Sequence, residues 1–435
     1  MTTIKAVRGT RDLLPPETAL WNRIEATARA VFARYNFGEI RTPIFEDTGL
    51  FARGVGEETD IVSKEMYTWE DRARAQSEKT QSLTLRPENT AGVVRAYIEH
   101  QLGETGQLQK LYYIGPQFRR ERPQKGRYRQ FSQIGAEVIG PPSAGSESPL
   151  RDAEVLEMLA TLLDELGITG WTLELNSVGS AADRARYNDT LRAALVPVVG
   201  QMCEDCQRRA VTNPLRVLDC KVPADQPIID ALPMITDSLD EFSRAHFAQV
   251  LAALDAAQVP YTRNHRLVRG LDYYTRTTFE FTHGGLGAQN ALLGGGRYDG
   301  LSEAIGGPKA PGIGFAMGED RLVLTLQALE SAQVQEKAAA FIAPLGDAKD
   351  EAALSRMNAA ALALARELRR SGLRIELGET SFRLKKSFEA ADKSARAIVI
   401  LGEDELQSGI LTVKTFSTGV QTKVPRAELA TFLSL

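Results

Sequence analysis

The stretch Tyr112–Gly140, YYIGPQFRRERPQKGRYRQFSQIGAEVIG, decides the fold prediction because a basic loop in it joins two segments typical of strands. Successive side chains of a strand point to opposite faces, so the second segment presents two different surfaces. The mostly apolar surface consists of Ser132, Ile134, Ala136 and Val138. The polar surface consists of Phe131, Gln133, Gly135 and Glu137. A ring, an amide and a carboxylate on one face predict a pocket for a small polar ligand.

The loop before this strand is strongly cationic. Its only acid between Lys110 and Arg129 is Glu121, and its basic residues are Lys110, Arg119, Arg120, Arg122, Lys125, Arg127 and Arg129. Charge runs usually form a solvated surface. We favour a phosphate-binding arm, because the loop adjoins the polar strand face and the planar fork of arginine binds phosphate through two hydrogen bonds.

Length and composition limit the class of protein. The chain has 435 residues, of which 43% are hydrophobic and 25% charged, as is typical of a globular protein of about two to four domains. A net charge of -4 excludes a uniformly basic nucleic-acid binder, so contacts with nucleic acid must use local patches. Three cysteines indicate a reducing compartment rather than a disulfide framework. With no secretory segment and no long apolar run, the sequence predicts a soluble, cytoplasmic protein with no membrane contact.

The pattern of apolar residues divides the chain into three parts. Residues 1–330 place strands and helices around the polar segments and are predicted to form a catalytic domain. Within them, residues 180–258 are mostly helical in pattern and are predicted to be an inserted domain. Residues 336–435 alternate β and α segments, which indicates a separate α/β domain with a partly parallel sheet.

Three local patterns bear on the site. EIRTPIF, Glu39–Phe45, is typical of one strand, and Phe315–Leu329 is typical of a helix. Tyr273–Phe281 is also typical of a strand, and Tyr273 and Tyr274 point to opposite faces if the strand has already begun there. One of these tyrosines would then belong to the core and the other to a pocket.

Two further segments combine charge with a turn. At Arg86–Thr90 a strand meets a helix, and Asn89 or Thr90 is expected to cap that helix, which leaves Glu88 for another role. Arg269 precedes a glycine beside the tyrosine pair, where a charged side chain is hard to explain as core. The glycine-rich segment GGGRYDG that follows Leu293 allows close approach to the backbone, but it lacks the order of a P-loop.

The cysteines offer a possible zinc motif, with Cys203 and Cys206 in one pair and Cys220 further along. A structural zinc site needs four ligands. None of the four histidines has matching spacing, so the sequence predicts no metal site here.

Taken together, these segments resemble the histidyl-tRNA synthetases, a family of class II aminoacyl-tRNA synthetases, over nearly the whole chain. EIRTPIFEDTGLF resembles the first class-defining motif, which builds the dimer interface. FRRE through Glu137 resembles the second motif, and GFAMGEDR resembles the third. LVRGLDYYTRTTFEF and GGGRYDGL resemble the two segments peculiar to this family. The family commonly has glycine where this chain has Asn89, and asparagine is the residue that otherwise best tolerates a left-handed backbone.

The resemblance implies an α+β catalytic domain on a mainly antiparallel sheet, the class II synthetase core, with a helical insertion. It also implies that the C-terminal α/β domain binds the anticodon. The protein would be a homodimer that uses histidine, ATP, Mg²⁺ and histidine tRNA. Histidine and ATP would form histidyl-adenylate and pyrophosphate, and histidine would then pass to the 3′ end of the tRNA.

The resemblance also implies roles for the residues that bind ATP and tRNA. Arg119 and Arg269 would be catalytic, flanking the α-phosphate on which charge grows. The ATP-binding residues would be Arg119, Glu121, Phe131 and Arg321, with the ring of Phe131 stacked on adenine. Mg²⁺ would bridge the β- and γ-phosphates. The residues that contact the tRNA acceptor end would be Arg122, Gln124 and Arg129.

Histidine would be held at both ends. Neutral imidazole has one donor and one acceptor nitrogen. Glu137 would accept from the donor, Tyr274 would serve the other nitrogen, and a pocket that pairs both rejects analogues lacking either. Glu88 and Gln133 would bind the α-ammonium. The full set implied for histidine is Glu88, Thr90, Gln133, Glu137, Tyr273, Tyr274 and Tyr298.

Two other functions use similar segments. A regulatory subunit of ATP phosphoribosyltransferase resembles the synthetase core but lacks the anticodon domain and has eroded motifs. A ligase that makes adenylates without tRNA would share the chemistry, and the C-terminal domain argues against it. Charging of histidine tRNA separates these alternatives.

Overall fold

The computed structural model describes residues 3–56, 59–71, 80–124, 126–268, 271, 273–286, 290–329, 337–346 and 350–434. The chain divides into two compact units, Met1–Ala332 and Gln333–Leu435, and each has its own apolar core. Among the described residues, no helix is both long and apolar enough to cross a membrane.

The first unit mixes strands with helices. Its strands are β1 (Gly38–Glu39), β2 (Phe45–Asp47), β3 (Tyr67–Asp71), β4 (Gln81–Leu85), β5 (Gln109–Phe118), β6 (Gln130–Ile139), β7 (Trp171–Ser177), β8 (Thr262–Arg263), β9 (Thr275–His283), β10 (Ala291–Arg297) and β11 (Gly312–Gly318). Its helices are α1 (Glu17–Arg34), α2 (Thr48–Val55), α3 (Thr90–Glu99), α4 (Pro149–Glu165), α5 (Ala181–Leu195), α6 (Glu204–Thr212), α7 (Gln226–Asp230), α8 (Glu241–Ala256), α9 (Leu301–Ala304) and α10 (Glu319–Ala328).

One large sheet dominates this unit, with strand order β1-β5-β6-β11-β10-β9-β7-β8. Its inner neighbours are all antiparallel, and only the two edge pairs, β1 with β5 and β7 with β8, are parallel. The prediction of a mainly antiparallel sheet is therefore confirmed. A smaller sheet has the order β2-β4-β3.

The apolar face of β6 anchors the core. Ile134, Ala136 and Val138 are buried there, in one cluster with residues of α1, α4 and α10. On α1 the apolar residues recur every three or four positions, so that one face of the helix, including Ile24 and Phe32, packs on the sheet. The other face of β6 is left for polar side chains, as the alternation predicts.

Two predicted elements differ from the structure. EIRTPIF contributes to two short strands rather than one, because β1 ends at Glu39 and β2 begins at Phe45. Pro43 lies between them, and its missing N–H cannot join a strand ladder. The predicted helix from Phe315 begins only at Glu319, since the preceding residues belong to β11. That strand is buried on both faces over most of its length, so its apolar run lacks the alternation that identifies a strand.

The helices after β7 divide between two cores. Residues on and between α5, α6 and α7, among them Tyr187, Leu191 and Cys206, form a separate buried cluster. Helix α8 packs against α4 instead, and its Phe247 and Val250 belong to the main core. The segment 180–258 thus contains both a helical cluster of its own and one helix of the central layer.

A buried ion pair ties the large sheet to α4. Arg297, the last residue of β10, is 0% exposed. Its Nη2 donates to Oδ1 of Asp152 at 2.5 Å, and its Nη1 donates to Asp299 at 3.0 Å and to the Ser146 carbonyl at 2.8 Å. The guanidinium is therefore compensated on several sides, as a buried charge must be.

The second unit is an α/β domain, as predicted. Its strands form a sheet with the order β13-β12-β14-β15-β16, in which β13, β12 and β14 are parallel and the last two are antiparallel. The strands are β12 (Ala338–Pro344), β13 (Ile375–Leu377), β14 (Ala395–Leu401), β15 (Ile410–Thr415) and β16 (Gln421–Pro425). The helices are α11 (Glu351–Arg370), α12 (Leu384–Ser394), α13 (Glu403–Ser408) and α14 (Leu429–Ser434).

Candidate active site

A cavity of about 440 Å³ opens over the polar face of β6. Its walls come from the end of β5 and the loop after it, the start of α3, strands β9 to β11 and the start of α10. Many of the predicted site residues line it: Glu88, Thr90, Arg119, Glu121, Phe131, Gln133, Tyr273, Tyr274 and Arg321. Arg269, which was predicted to be catalytic, lies outside the described residues.

The carboxylate of Glu88 caps helix α3. Its Oε2 accepts from the amide of Thr90 at 2.7 Å, and its Oε1 accepts from the amide of Ala91 at 3.0 Å. Asn89 occupies the N-cap position, as predicted, but its side chain makes no capping hydrogen bond. The Glu88 carboxylate satisfies the free amides of the first turn instead and also suits the positive end of the helix dipole. Burial raises the pKa of Glu88, although these two amides act against the shift.

Asn89 does not need a left-handed backbone. Its φ of -122° and ψ of -12° are open to any residue, so the glycine common in the family is not required here. The side chain is buried, and its Oδ1 accepts from Oγ1 of Thr42 at 2.6 Å and from Nη1 of Arg86 at 3.4 Å. Asn89 thereby ties the start of α3 to the segment that follows β1.

Glu137 lies behind the cavity wall and is 0% exposed. Its Oε1 accepts from the Thr90 hydroxyl and its Oε2 from the Tyr298 hydroxyl, each at 2.7 Å. Burial raises the pKa of Glu137 to about 8, although the two hydroxyl donors lower it. With a pKa in this range, the carboxyl group can gain or lose a proton near neutral pH when its surroundings change.

Bare backbone lies beside this carboxylate. Gly314 on β11 pairs directly with Glu137 on β6, and a Cβ at Gly314 would stand 1.7 Å from Oε2 of Glu137. A Cβ at Gly135 would stand 2.3 Å from the Tyr113 hydroxyl. These two glycines, which we call the glycine floor, leave room for the buried polar side chains.

Replacing Gly314 by alanine should destabilise the protein by roughly 1–3 kcal/mol, because the added carbon overpacks a closed site. The new Cβ would also stand 2.8 Å from the Ala136 carbonyl, so Glu137 must move and lose its hydroxyl partners. Thermal unfolding measures the effect as a lower Tm. Gly300→Ala is the matched control, since nothing lies within 4 Å of a Cβ there. Equal Tm values for the two variants would contradict the packing described for Glu137.

The tyrosines Tyr273 and Tyr274 both line the cavity. Their ring centroids are 4.7 Å apart, and the Tyr273 ring also meets the Tyr298 ring edge-on at 5.9 Å. Opposite faces were expected only if the strand had begun at these residues, and because β9 begins at Thr275, strand alternation does not apply to them. The three rings form an aromatic corner next to Glu137.

Two buried polar atoms at the cavity have no hydrogen-bond partner among the residues that the structure describes. They are Oε1 of Gln133 and the hydroxyl of Tyr113. An unsatisfied buried acceptor costs about 1–3 kcal/mol, so such a group favours a ligand that supplies the missing donor. Gln133 was predicted as a site residue, whereas Tyr113 was missed because it was treated only as part of a strand.

Arg119 and Phe131 meet across the β5–β6 hairpin. The guanidinium carbon of Arg119 lies 5.2 Å from the centroid of the Phe131 ring. Nε of Arg119 donates to the Pro87 carbonyl at 2.9 Å, which fixes the side chain. A single ligand can therefore place a flat ring at Phe131 and an anion at Arg119.

The far end of the cavity is strongly polar. Arg321, in the first turn of α10, donates from Nη1 to the Ala291 carbonyl at 2.6 Å, and Glu121 pairs with Arg127 at 3.3 Å. Sequence reasoning missed Glu280 and Arg216, which also line this cavity. An acid inside a buried strand was an available signal for Glu280, whereas nothing in the sequence places Arg216 here.

The residues predicted to meet tRNA lie on the basic loop and not on the cavity wall. Arg122 and Gln124 are exposed. Arg129 is partly buried, and it joins the loop to the N-terminal segment, with its amide donating to the Gly9 carbonyl at 2.7 Å and Nη1 to the Arg8 carbonyl at 3.3 Å. The loop thus presents Arg122 and Gln124 outward, and Arg129 has a structural role as well.

The three cysteines come together, with a fourth potential metal ligand that the sequence argument did not consider. Cys203, Cys206 and Cys220 lie with the carboxylate of Asp225 so that their ligand atoms are all within 4.8 Å of one another. None of the histidines has matching spacing, but the carboxylate of Asp225 can be the fourth ligand. This cluster lies in the helical core of α5–α7, not in the cavity described above.

Known proteins match both units. A model of the histidyl-tRNA synthetase family matches residues 9–322, and an anticodon-binding domain model matches residues 339–434. The histidine–tRNA ligase of Koribacter versatilis is 71% identical over 99% of this chain and 96% of the relative. That of Solibacter usitatus is 56% identical over 98% of each. The crystal structure of apo S. aureus histidyl-tRNA synthetase has a TM-score of 0.78 at 37% identity and covers 100% of both chains.

Proposed function

The chain belongs to the histidyl-tRNA synthetase family and is an ATP-dependent histidine–tRNA ligase, and from this premise we propose how its residues divide the work. The observation that carries the proposal is the cavity over β6. Arg119 supplies a fixed cation and Phe131 an aromatic ring, and Gln133 and Tyr113 each supply a polar atom without a described partner. The buried carboxylate of Glu137 lies behind the wall. These groups suit a phosphate anion, a nucleobase and a small zwitterionic amino acid that bind side by side.

ATP takes the end of the cavity near the hairpin. Adenine stacks on Phe131, and Arg119 contacts the α-phosphate together with Arg269. Glu121 and Arg321 bind the rest of the nucleotide. Mg²⁺ prefers oxygen ligands, and the carboxylates of Glu121 and Glu280 on the cavity wall would hold it beside the phosphates. The metal would neutralise the charge on pyrophosphate.

Histidine takes the inner end. Its α-ammonium donates to Oε1 of Gln133 and to Glu88, whose oxygens keep lone pairs beyond those used by the helix amides. Its imidazole lies in the aromatic corner of Tyr273, Tyr274 and Tyr298. One ring N–H donates to Glu137, Tyr274 serves the other nitrogen, and Thr90 orients Glu137 by its own hydrogen bond.

The reaction proceeds in two steps. An oxygen of the histidine carboxylate bonds to the α-phosphorus, and the bond from that phosphorus to the bridging oxygen breaks, so that pyrophosphate leaves with its electron pair. Arg119 and Arg269 stabilise the negative charge that grows on the α-phosphate oxygens. A hydroxyl of the terminal adenosine of the tRNA then attacks the histidyl carbonyl, loses its proton, and AMP leaves. Positioning of the reactants supplies much of the rate.

Histidine binding should release protons at pH 7. Burial raises the pKa of Glu137 to about 8, and a ring N–H donated by histidine stabilises the carboxylate, so binding should lower this pKa. Protons are then released at pH values between the lowered pKa and that of the empty pocket, and the release attributable to Glu137 should fall to zero as the pH rises above about 8. Calorimetry in two buffers of different ionisation enthalpy measures it.

The variant Glu137→Gln is the matched control for this prediction. Glu88, whose pKa burial also raises, can release protons as well, so the difference between wild type and variant isolates Glu137. Equal proton release by the two proteins would remove Glu137 from the imidazole contact.

The basic loop meets the acceptor end of histidine tRNA through Arg122, Gln124 and Arg129. Replacing Arg122 by alanine should raise the KM for tRNA about tenfold. A charge-assisted hydrogen bond contributes at least about 1.5 kcal/mol, which corresponds to roughly a tenfold change in binding. Histidine-dependent exchange of pyrophosphate into ATP should not change, since the side chain lies outside the cavity. Charging of histidine tRNA and pyrophosphate exchange, measured together, test the proposed function.

Arg34→Ala is the control for tRNA charging, since this arginine is exposed at the end of α1 and pairs with Glu165 of α4. A loss of pyrophosphate exchange in Arg122→Ala would contradict the proposed division. Pyrophosphate exchange without charging of histidine tRNA by the wild-type protein would contradict the tRNA role of the loop.

We also propose a homodimer and a cytoplasmic location. Ile44, Phe45 and Trp69 on and beside β2 and β3 are 40–53% exposed, and exposed rings grouped in this way favour a protein interface. The free thiols of the three cysteines suit a reducing compartment. Residues 1–330 form the catalytic domain with 180–258 as its helical insertion, and 336–435 bind the anticodon. Light scattering of the full-length protein tests the dimer.

A further inference from the structure

The helical core of α5–α7 contains a closed cluster of metal-ligand side chains. Cys206, Cys220 and Asp225 are 0%, 4% and 1% exposed, and Cys203 is partly buried. The cluster joins residues from three places: the start of α6, the turns that follow it, and the residue before α7. Nothing in the proposed reaction uses these four residues.

The spacing of the donor atoms fits a tetrahedral metal ion. Zinc binds thiolate sulfur at about 2.3 Å, so two sulfurs on one zinc stand about 3.8 Å apart. Sγ of Cys203 and Sγ of Cys220 are 3.9 Å apart, and Sγ of Cys220 lies 3.2 Å from Oδ2 of Asp225. All four donor atoms lie within 4.8 Å of one another. Small shifts would bring each of them to bonding distance from one central ion.

The same distances separate this arrangement from a disulfide. A disulfide joins its sulfurs at about 2.05 Å, well short of the 3.9 Å between Cys203 and Cys220. A disulfide between two of the cysteines would not explain why the third thiol and the buried carboxylate of Asp225 lie beside them. Three soft sulfur donors and one oxygen donor in a tetrahedron are the ligand type that zinc prefers.

Hydrogen bonds around the cluster already suit ionised ligands. The Val222 amide donates to Sγ of Cys220 at 3.4 Å, and the Cys203 amide donates to Oδ1 of Asp225 at 3.1 Å. The Gln226 side chain donates to the Cys220 carbonyl at 2.9 Å and fixes the turn. Such partners around a metal site orient the ligands and stabilise their charge.

We propose that Cys203, Cys206, Cys220 and Asp225 bind one structural Zn²⁺. Binding ionises the three thiols and releases their protons, while Asp225 binds as a carboxylate. The site has four protein ligands and no open position, so its role is to hold the fold rather than to catalyse.

The segment that the metal would hold reaches the active site. Between Cys206 and Cys220 the chain passes Leu215 and Arg216 in a short helical turn, and Arg216 lines the cavity over β6. This part of the chain has short helices and little regular pairing, so a metal cross-link stabilises it more than it would stabilise a packed sheet. Zinc would therefore fix one wall of the cavity from outside.

Metal analysis of the full-length protein, purified without chelators from zinc-supplemented cells, tests the proposal. We expect about one zinc per chain, the stoichiometry of a single four-ligand site. Removal with a mercurial reagent should release it, and Co²⁺ added afterwards should give the thiolate charge-transfer absorption of a cysteine-bound ion. A strong chelator should lower the Tm of the wild-type protein.

Two aspartate variants test the zinc site even if the cysteine variants do not fold. Asp225→Asn should weaken zinc binding in a competition with a chromophoric chelator by at least the 10- to 100-fold that outer-sphere changes cause. Asp205→Asn is the matched control, because Asp205 lies between Cys203 and Cys206 but its side chain is 62% exposed and pairs with Arg208. It should bind zinc like the wild type.

Three results would overturn the proposal. One is wild-type protein that has free thiols yet neither contains nor takes up zinc. Another is a Cys203–Cys220 disulfide in mass spectra of the native protein. The third is equal zinc affinity in Asp225→Asn and wild type, which would exclude the carboxylate as the fourth ligand.

Discussion

Arg119→Ala is expected to reduce histidine-dependent exchange of pyrophosphate into ATP by about 100- to 1,000-fold, the usual cost of removing one fixed group that stabilises growing charge. The guanidinium lines the cavity, and the Pro87 carbonyl holds its Nε at 2.9 Å. In the proposed complex it would contact the α-phosphate without having to reorganise during the reaction. The loss should appear mainly in kcat, because the charge that Arg119 meets is greatest in the transition state.

The neighbouring arginine provides the control for this prediction. Arg120 is exposed, and its side chain lies near the Tyr67 ring rather than in the cavity. Arg120→Ala should keep nearly full exchange activity. Arg119→Lys should recover only part of it, since an ammonium cannot form the planar two-point contact. A similar kcat for Arg119→Ala and wild type would rule out Arg119 as a catalytic residue.

Arg297→Ala should lower the free energy of unfolding of the first unit by about 3–5 kcal/mol, because it leaves the carboxylate of Asp152 buried without its partner. Arg297 and Asp152 are both fully buried and are joined at 2.5 Å. A loss of this size is a large share of the stability of an ordinary domain. Urea unfolding followed by tryptophan fluorescence measures it, since Trp21, Trp69 and Trp171 all lie in the first unit.

An exposed ion pair serves as the comparison. Arg192 lies 3.3 Å from Asp189 on α5, with exposed fractions of 48% and 81%. Arg192→Ala should change the unfolding free energy by no more than about 1 kcal/mol. If both arginine variants unfold at the same urea concentration, the buried pair does not hold the sheet to α4.

Regular alternation in β6 allowed the site to be predicted from the sequence. With a period of two, the side chains of Phe131 and Gln133 were assigned to one face and those of Ile134 and Ala136 to the other, and the structure has them there. The joining of distant segments around this face came from resemblance to a family, since spacing alone does not bring Tyr274 to Gln133. The mainly antiparallel sheet was implied by the resemblance, whereas the C-terminal α/β domain was predicted from its alternating β and α segments.

The errors arose where no regular period applies. Tyr273 and Tyr274 precede β9, so strand alternation could not assign their faces. The Glu88 side chain accepts from an amide in the first turn of α3. Residue preferences for capping favoured Asn89 or Thr90 and did not predict this contact. Asp225 joins the cysteines through irregular turns, whose path depends on packing rather than on a repeating pattern. In each case a three-dimensional contact outweighed a local rule.

The glycine floor bears on how this enzyme could escape an inhibitor. Tyr113, which lines the cavity, and Glu137, behind its wall, lie against these two glycines, where even one added carbon would meet an atom at 2.3 Å or less. A substitution at either glycine should therefore damage the enzyme before it could reshape the pocket behind Tyr113. Drug resistance should arise instead at the rim, at partly exposed residues such as Arg127, and compounds that press on Tyr113 should select resistant strains rarely.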